Sequence, residues 1–289
     1  MSIYFEKVTI LGVGLIGGSI ARALKKNKLC GTITGCSRRE EELQKGVELG
    51  VIDDYSLSMR QAAENADLII ISVPLGLFEK VFTEIKDVIT DKTLVTDVGS
   101  AKNSVVTAAK NVFGTLPSGL VPGHPIAGNE KSGVEASFDT LFVNRCTIIT
   151  PTENSSQSSI DGITQMWESI GASVVAMSAE HHDLVLAATS HLPHVLAFSL
   201  VDTLSQMHEH SEIFQFAAGG FRDFTRIASS DPVMWRDICL HNKDAILAVL
   251  KSYEKQLKII ESAINDQNSA EIEKIFSRAK SARDEHVIL

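Results

Sequence analysis

The sequence predicts an α/β fold: a parallel sheet covered by helices, followed by an all-helical segment. Three observations carry this. Short apolar runs alternate with helical patterns over residues 1–178. A glycine-rich turn joins the first run to the first helix. After about Ala179 strand signals vanish, and helical periodicity runs from Asp183 to the end.

The first strand, Val8–Leu11, ends in Gly12-x-Gly14-Leu15-Ile16-Gly17, and Ile20 to Lys28 reads as a helix. Gly12 permits the tight turn, Gly14 lets the backbone approach a pyrophosphate, and Gly17 lets helix and strand pack closely. Free N–H groups and the positive end of the helix dipole then hold the anion. Between a strand and a helix, this turn points to a Rossmann-type dinucleotide-binding domain. The next strand, Thr32–Cys36, ends in Ser37-Arg38-Arg39. An NAD site usually places Asp or Glu there for the ribose hydroxyl. A serine and two guanidinium groups suit a 2′-phosphate instead, which favours NADP over NAD. The bland alternative is a solvated arginine pair neutralised by Glu40, Glu41 and Glu42.

Further strands are expected at Leu68–Val73, Leu94–Asp97, Leu120–Pro122, Thr147–Thr150 and Ser173–Met177, all in one parallel sheet. Helices are expected at Glu40–Leu49, Gly76–Ile89, Ser104–Val112 and Ile160–Ile170, the last after a polar loop over Pro151–Ser159. The domain boundary falls near Met177–His181, giving a dinucleotide-binding domain (1–178) and a helical substrate and dimerisation domain (179–289). In the latter, Ile246, Leu250, Tyr253, Leu257, Ile260 and Ile264 form a seam that one helix cannot bury alone. Burial against other helices of the same chain would satisfy it. A homodimer through these C-terminal helices is the favoured expectation.

At 289 residues, with 44% hydrophobic and 22% charged residues, the composition is that of a soluble globular protein. No unbroken apolar run approaches the roughly 18 residues of a membrane span. The N-terminus enters the first strand without a signal peptide pattern. Cys30, Cys36, Cys146 and Cys239 form no CxxC pair, so free thiols in a reducing cytoplasm are expected. A net charge of −9 without a long basic stripe argues against a nucleic-acid partner. A small anionic substrate would need a local basic pocket.

The chemistry-bearing residues gather where strands end. Val73 and Pro74 close one strand, and Asp97-Val98-Gly99-Ser100-Ala101-Lys102 closes another. The glycine-flanked loop Gly123-His124-Pro125-Ile126-Ala127-Gly128-Asn129-Glu130 follows a third. Ligands of open α/β sheets bind beyond the carboxyl ends of the strands. Ser100, His124 and Glu130 therefore converge where a nicotinamide ring would lie.

Five further segments follow the glycine turn in order. They are Asp97-x-Gly99-Ser100-x-Lys102, His124-Pro125-Ile126-Ala127-Gly128-x-Glu130-Lys131-Ser132-Gly133, Ser190-His191-Leu192-Pro193-His194, Gly219-Gly220-Phe221-x-Asp223-x-Thr225-Arg226 and Asp231-Pro232-x-Met234-Trp235. With them the sequence resembles the prephenate/arogenate (cyclohexadienyl) dehydrogenase family of tyrosine biosynthesis, over nearly its whole length. The resemblance implies oxidative decarboxylation of a cyclohexadienyl acid to an aromatic ring. It implies that His124 polarises or deprotonates the ring hydroxyl, with Ser100 hydrogen-bonding nearby. It implies Arg226 as carboxylate anchor, His194 as a second active-site histidine, Trp235 and Gly219 as pocket lining, and Glu130 at the entrance. In the family the arginine can serve the site through the dimer.

Asn129-Glu130-Lys131 resembles members that accept prephenate. Asp183 is the acidic residue that could recruit the ammonium of arogenate, while His181-His182-Asp183 also reads as a helix cap. His191-x-x-His194 lacks a further ligand at metal spacing, so no metal is expected. A Ser–His hydrolase lacks the Gly-x-Ser-x-Gly elbow. A β-hydroxyacid-type dehydrogenase should carry a catalytic lysine in a glycine context that Lys243 does not have. A non-catalytic nucleotide-binding module need not retain His124, His194 and Arg226 together.

Overall fold

Alternation along short apolar strands builds the main sheet. The computed structural model describes residues 3–128, 131–208 and 210–286. Five parallel strands pair in the order β3-β2-β1-β4-β5: β1 (Phe5–Leu11), β2 (Cys30–Cys36), β3 (Asp54–Ser56), β4 (Leu68–Ile71) and β5 (Leu94–Asp97). Successive side chains on a strand face opposite ways. Leu68 and Ile70 of β4 accordingly join one core with Val8, Ile10 and Ile33, while Ile69 and Ile71 join a second with Leu11 and Val95. Burial on both faces explains why β4 reads as an unbroken apolar run. The helices of this part are α1 (Leu15–Lys26), α2 (Glu40–Glu48), α3 (Met59–Ala63), α4 (Phe78–Ile85) and α5 (Lys102–Phe113). From β1 the chain runs outward to β2 and β3, then returns to the other side of β1 as β4. That reversal places a crevice between the carboxyl ends of β1 and β4.

The expectation of one all-parallel sheet needs correcting. A second sheet holds β6 (Gly123–Pro125), β7 (Cys146–Ile149) and β8 (Ser173–Ala176) in that order, with β6 antiparallel to β7. The expected strand Leu120–Pro122 is reduced to a single parallel bridge from Leu120 to Val95. In this register the next donor toward β5 is Gly123 N, which goes to the Asp97 side chain instead of the β5 backbone, while the Pro122 carbonyl already accepts from Thr150 beyond β7, so the chain passes into the second sheet. Two helix limits also differ. Gly76–Ile89 divides into a 3-10 turn (Leu75–Leu77) and α4. The polar loop ends early, because Ser156 caps α6 (Gln157–Ser169) by accepting from Ser159 N.

The remaining elements are helical. They are α7 (Ala179–Leu186), a π-turn (Ala187–His191), α8 (Leu192–Ser205), α9 (His210–Gln215), α10 (Gly219–Thr225), a 3-10 turn (Arg226–Ser229), α11 (Pro232–His241), α12 (Lys243–Asn265) and α13 (Ser269–His286). The chain divides into two compact units, Met1–Lys243 and Asp244–Leu289. In the first, Trp235 and Ile238 of α11 join the second core. In the second unit, Asn268 caps α13 by accepting from Glu271 N. Of the expected seam, Ile246 is buried whereas Leu257 and Ile264 are exposed.

The continuous helical run Ala179–Ser205 is long and apolar enough, by length and composition alone, to cross a membrane. A search for an unbroken apolar stretch misses it, because Thr189, Ser190, His191 and His194 interrupt the run. Its polar residues His182, Asp183 and His191 are buried and hydrogen-bonded to β6, α5 and Asn242.

Candidate active site

The nucleotide turn is built as its glycines require. Gly12 has φ +102°, and a Cβ there would lie 2.1 Å from the Ser72 carbonyl oxygen. A Cβ on Gly17 would lie 2.3 Å from the Gly12 oxygen, so only glycine lets α1 approach β1 this closely. Gly14 is different: a Cβ would meet nothing within 4 Å, which leaves open space at the start of α1. No side chain caps that end, and no acidic residue stands in its first turn. Unoccupied N–H groups, a positive dipole end and room above Gly14 fit the pyrophosphate of a dinucleotide. Leu15 and Ile16 form the first turn of α1, and Val73 and Pro74 lie just beyond β4.

At the end of β2, Ser37 is half-buried and its hydroxyl lies 3.4 Å from a Glu42 oxygen. Arg39 pairs with that same Glu42, whereas the exposed Arg38 forms no ion pair among the described residues. The neutralising role of the glutamates thus holds for one arginine of the two.

Beyond β5 lies a buried ion pair that sequence reasoning did not single out. Lys102 is fully buried, and its Nζ donates to Asp97 Oδ2 and, at 2.6 Å, to the Gly123 carbonyl. Asp97 Oδ1 accepts from Gly123 N at 3.1 Å and Oδ2 from Gly99 N at 2.7 Å. Both backbone groups of the residue preceding His124 are therefore held by one Asp–Lys pair. Burial pushes the Lys102 ammonium pKa down, and the Asp97 carboxylate opposes that shift.

His124 sits on β6, nearly buried, with Nδ1 2.9 Å from His182 Nε2. His182 Nδ1 is in turn 2.8 Å from Asp183 Oδ1. No hydrogen bond is formed by His124 Nε2 among the described residues. Burial holds the His124 pKa well below the ordinary imidazole value, and His182, Lys102 and His191 push it the same way. The ring is thus a neutral base at neutral pH.

Asp183 is a helix cap, but for a helix distant in the sequence. It is 2% exposed, and its oxygens accept from Lys102 N at 2.7 Å, from Asn103 N at 2.9 Å and from His182. It caps α5, not its own helix, where Ser178 is the cap. Burial raises its pKa, but these hydrogen bonds prevail and hold the carboxyl below its usual range. A carboxylate so committed is not available to a substrate ammonium.

The π-turn brings the second histidine pair to the same place, a frequent use of such irregularities. Asn242 Nδ2 lies 3.0 Å from His191 Nδ1 and donates to the Asp183 carbonyl at 2.8 Å. Burial lowers the His191 pKa to about 4, while the Ser100 backbone faces this ring and works in the opposite direction. The Ser100 side chain is half-buried. His194 Nδ1 donates to the Ser190 carbonyl at 2.9 Å, and the ring stacks on Trp235 at 3.7 Å between centroids. The buried Trp235 Nε1 has no partner among the described residues. The His194 pKa is lowered by burial and also by the charge of Arg226, at the start of the 3-10 turn after α10.

Ser100, His124, His194, Trp235 and Arg226 thus form one neighbourhood, linked through His182, Asp183 and His191. Gly219 begins α10, and a Cβ there would meet nothing within 4 Å. Glu130 lies outside the described residues. His182, Asn242 and the Asp97–Lys102 pair are the buried polar residues of this neighbourhood that sequence reasoning missed as a network. The signal available was slight: Asp97 and Lys102 are five residues apart across a strand end.

Comparison with known proteins identifies the family. Residues 20–176 match the family description "Prephenate dehydrogenase, nucleotide-binding domain", and residues 178–278 match "Prephenate dehydrogenase, dimerization domain". The chain is 39% identical over 286 residues to the prephenate dehydrogenase of Bacillus subtilis, covering 96% of this chain and 76% of that protein. It is 36% identical to the cyclohexadienyl dehydrogenase of Zymomonas mobilis, covering 96% and 95%. The crystal structure of prephenate dehydrogenase from A. aeolicus, solved with hydroxyphenyl propionate and NAD+, superposes with TM-score 0.91 at 37% identity over 99% of each chain. Fold and sequence agree: the chain belongs to the prephenate dehydrogenase family.

Proposed function

We propose that this chain catalyses the oxidative decarboxylation of prephenate to 4-hydroxyphenylpyruvate in tyrosine biosynthesis, with arogenate as a poorer substrate. The observation that carries the reading is a neutral, nearly buried His124 held on β6 beside the carboxyl end of β5, with Nε2 uncommitted among the described residues. When bound, the nicotinamide ring supplies the hydride acceptor. His124 accepts the ring hydroxyl proton as the carbinol carbon is oxidised. The ring carboxylate then leaves as CO2, its bonding pair completes the aromatic ring, and the proton returns to the same oxygen. No net proton is consumed, so one base suffices. Ser100 lies beside His124's neighbour His191 and is suited to hydrogen-bond the hydroxyl or the carboxamide. His194 and Trp235 form the wall, with Gly219 and Glu130 assigned to the pocket and its entrance by family resemblance. Arg226 anchors a substrate carboxylate, a task that suits a planar guanidinium.

Prephenate is favoured over arogenate because Asp183 is saturated by three donors. Spectrophotometry of nicotinamide reduction with each purified substrate tests this, and kcat/KM is expected to be higher for prephenate. A strong arogenate preference overturns the substrate assignment, and turnover of neither overturns the function. In the same assay, Arg226→Ala is expected to raise KM by about 10–100-fold, the worth of one charge-assisted contact, with Tm unchanged. An unaltered KM with a lowered Tm would make Arg226 structural.

NADP is the proposed preference, supported by the exposed Arg38 and by the absence of an acidic residue at Ser37. Removing both guanidiniums with Arg38→Ala and Arg39→Ala is expected to weaken NADP by about 10–100-fold and NAD hardly at all. Side-by-side kinetics decide this, and a wild-type preference for NAD refutes it.

Division into a dinucleotide-binding domain (1–178) and a substrate and dimerisation domain (179–289) belongs to the same reading. The two family descriptions adjoin at residues 176 and 178 in its support. A homodimer is supported by the match of residues 178–278 to a dimerization domain and by exposed apolar side chains such as Phe216, Leu240, Leu257 and Ile264.

A further inference from the structure

We propose that His182 and Asp183 act as a positioning relay that fixes His124 in the tautomer with Nδ1 protonated and Nε2 bare. A carboxylate can only accept. Asp183 Oδ1, 2.8 Å from His182 Nδ1, therefore requires a hydrogen on that nitrogen. In the neutral ring, His182 Nε2 is then an acceptor. His124 Nδ1, 2.9 Å away, must donate to it, since the other tautomer would set two lone pairs against each other. The lone pair of His124 is thereby left on Nε2, the nitrogen without a partner among the described residues.

The end of the relay is itself fixed. Asp183 is gripped by the Lys102 and Asn103 amides at 2.7 and 2.9 Å, and the three members are all buried. When His124 gains a proton, the new imidazolium faces His182, and the Asp183 carboxylate stands behind that ring to favour the charge. His182 and Asp183 are positioning residues, since neither needs to touch the substrate. A histidine whose far nitrogen is held by a second partner is the general device for setting which nitrogen reacts.

The kinetic part rests on the proposed dehydrogenase reading, whereas the tautomer does not, so the test has two arms. In 15N spectra of the full-length protein, His124 is expected to show a protonated Nδ1 and an unprotonated Nε2. His182→Gln can still accept from His124 and donate to Asp183, so it should keep that pattern and stay within about tenfold of wild-type kcat. His182→Met has similar length and no hydrogen bond. It should show mixed tautomers and lose about 10²-fold in kcat with little change in KM. The relay is overturned if wild-type His124 carries its proton on Nε2, or if the glutamine and methionine variants have equal kcat. Should His182→Met not fold, the wild-type and His182→Gln spectra decide alone. A wild type that does not oxidise prephenate refutes the functional reading while the nitrogen spectra still decide the relay.

Discussion

Replacing His124 with asparagine is expected to lower kcat by about 10²–10⁴-fold, the usual worth of a positioned base, while dinucleotide affinity stays unchanged. Asparagine is the informative choice because its amide can still donate to His182 Nε2, so the supporting network survives and only the base is removed. Stopped-flow turnover and a direct cofactor titration check the two halves of the expectation. Near-normal turnover would remove His124 from the chemistry. The same residue fixes a pH profile. Burial, His182, Lys102 and His191 all push its pKa below the ordinary value, with the Asp183 carboxylate behind His182 and the Asp97 carboxylate on Lys102. The base form therefore persists as pH falls through 6.5. The kcat/KM profile of the free enzyme should stay flat through that point and bend only at more acid pH.

Lys102→Met should have the largest effect on stability. It strands Asp97 as an unpaired charge in a site where both partners are at most 1% exposed. Breaking a buried pair from one side costs about 3–5 kcal/mol, and for a unit of this size that corresponds to a Tm loss on the order of 10 °C. Adding Asp97→Asn removes the stranded charge and should restore part of the loss, because the cost lies in the orphan more than in the missing attraction. Activity should not recover with stability. The ammonium also holds the Gly123 carbonyl, so the strand that carries His124 loses an anchor in both variants. Thermal melts of the single and double variants test this, and equal melts for all three proteins would show that the pair contributes nothing.

The parts of this molecule that repeat a period were legible. Apolar runs at β1, β4 and β5, and the 3.6-residue pattern from Asp183 onward, each report burial on a regular element. The glycine turn was legible because Gly12 and Gly17 answer to steric limits that only one residue type satisfies. The second sheet was not, since Leu120–Ile126 is a short segment whose pairing passes from β5 to β7 within a few residues. His124 could be placed from its glycine-flanked strand end. The chain of groups behind it could not, because His182 and Asp183 lie 58 and 59 residues beyond His124 and nothing local announces the contact. Asp183 illustrates the limit: its position beside two histidines suggests a surface cap or a substrate contact, whereas only the fold shows which donors have already claimed it.

The cap of α5 has a consequence for how the chain assembles. Ala101 contributes no capping side chain, and the first amides of the helix, Lys102 and Asn103, are satisfied by a carboxylate 81 and 80 residues further along. Until the polypeptide has been synthesised through Asp183 and α7 has docked, that helix end faces only water. The two amides are therefore a built-in clock for docking. Their hydrogen exchange reports every excursion of α7 from the sheet, including brief ones that leave the rest of α5 intact. Because Asp183 also ends the chain of groups behind His124, that imidazole acquires its support at the same moment. Docking of α7 on α5 and support of that imidazole are one event.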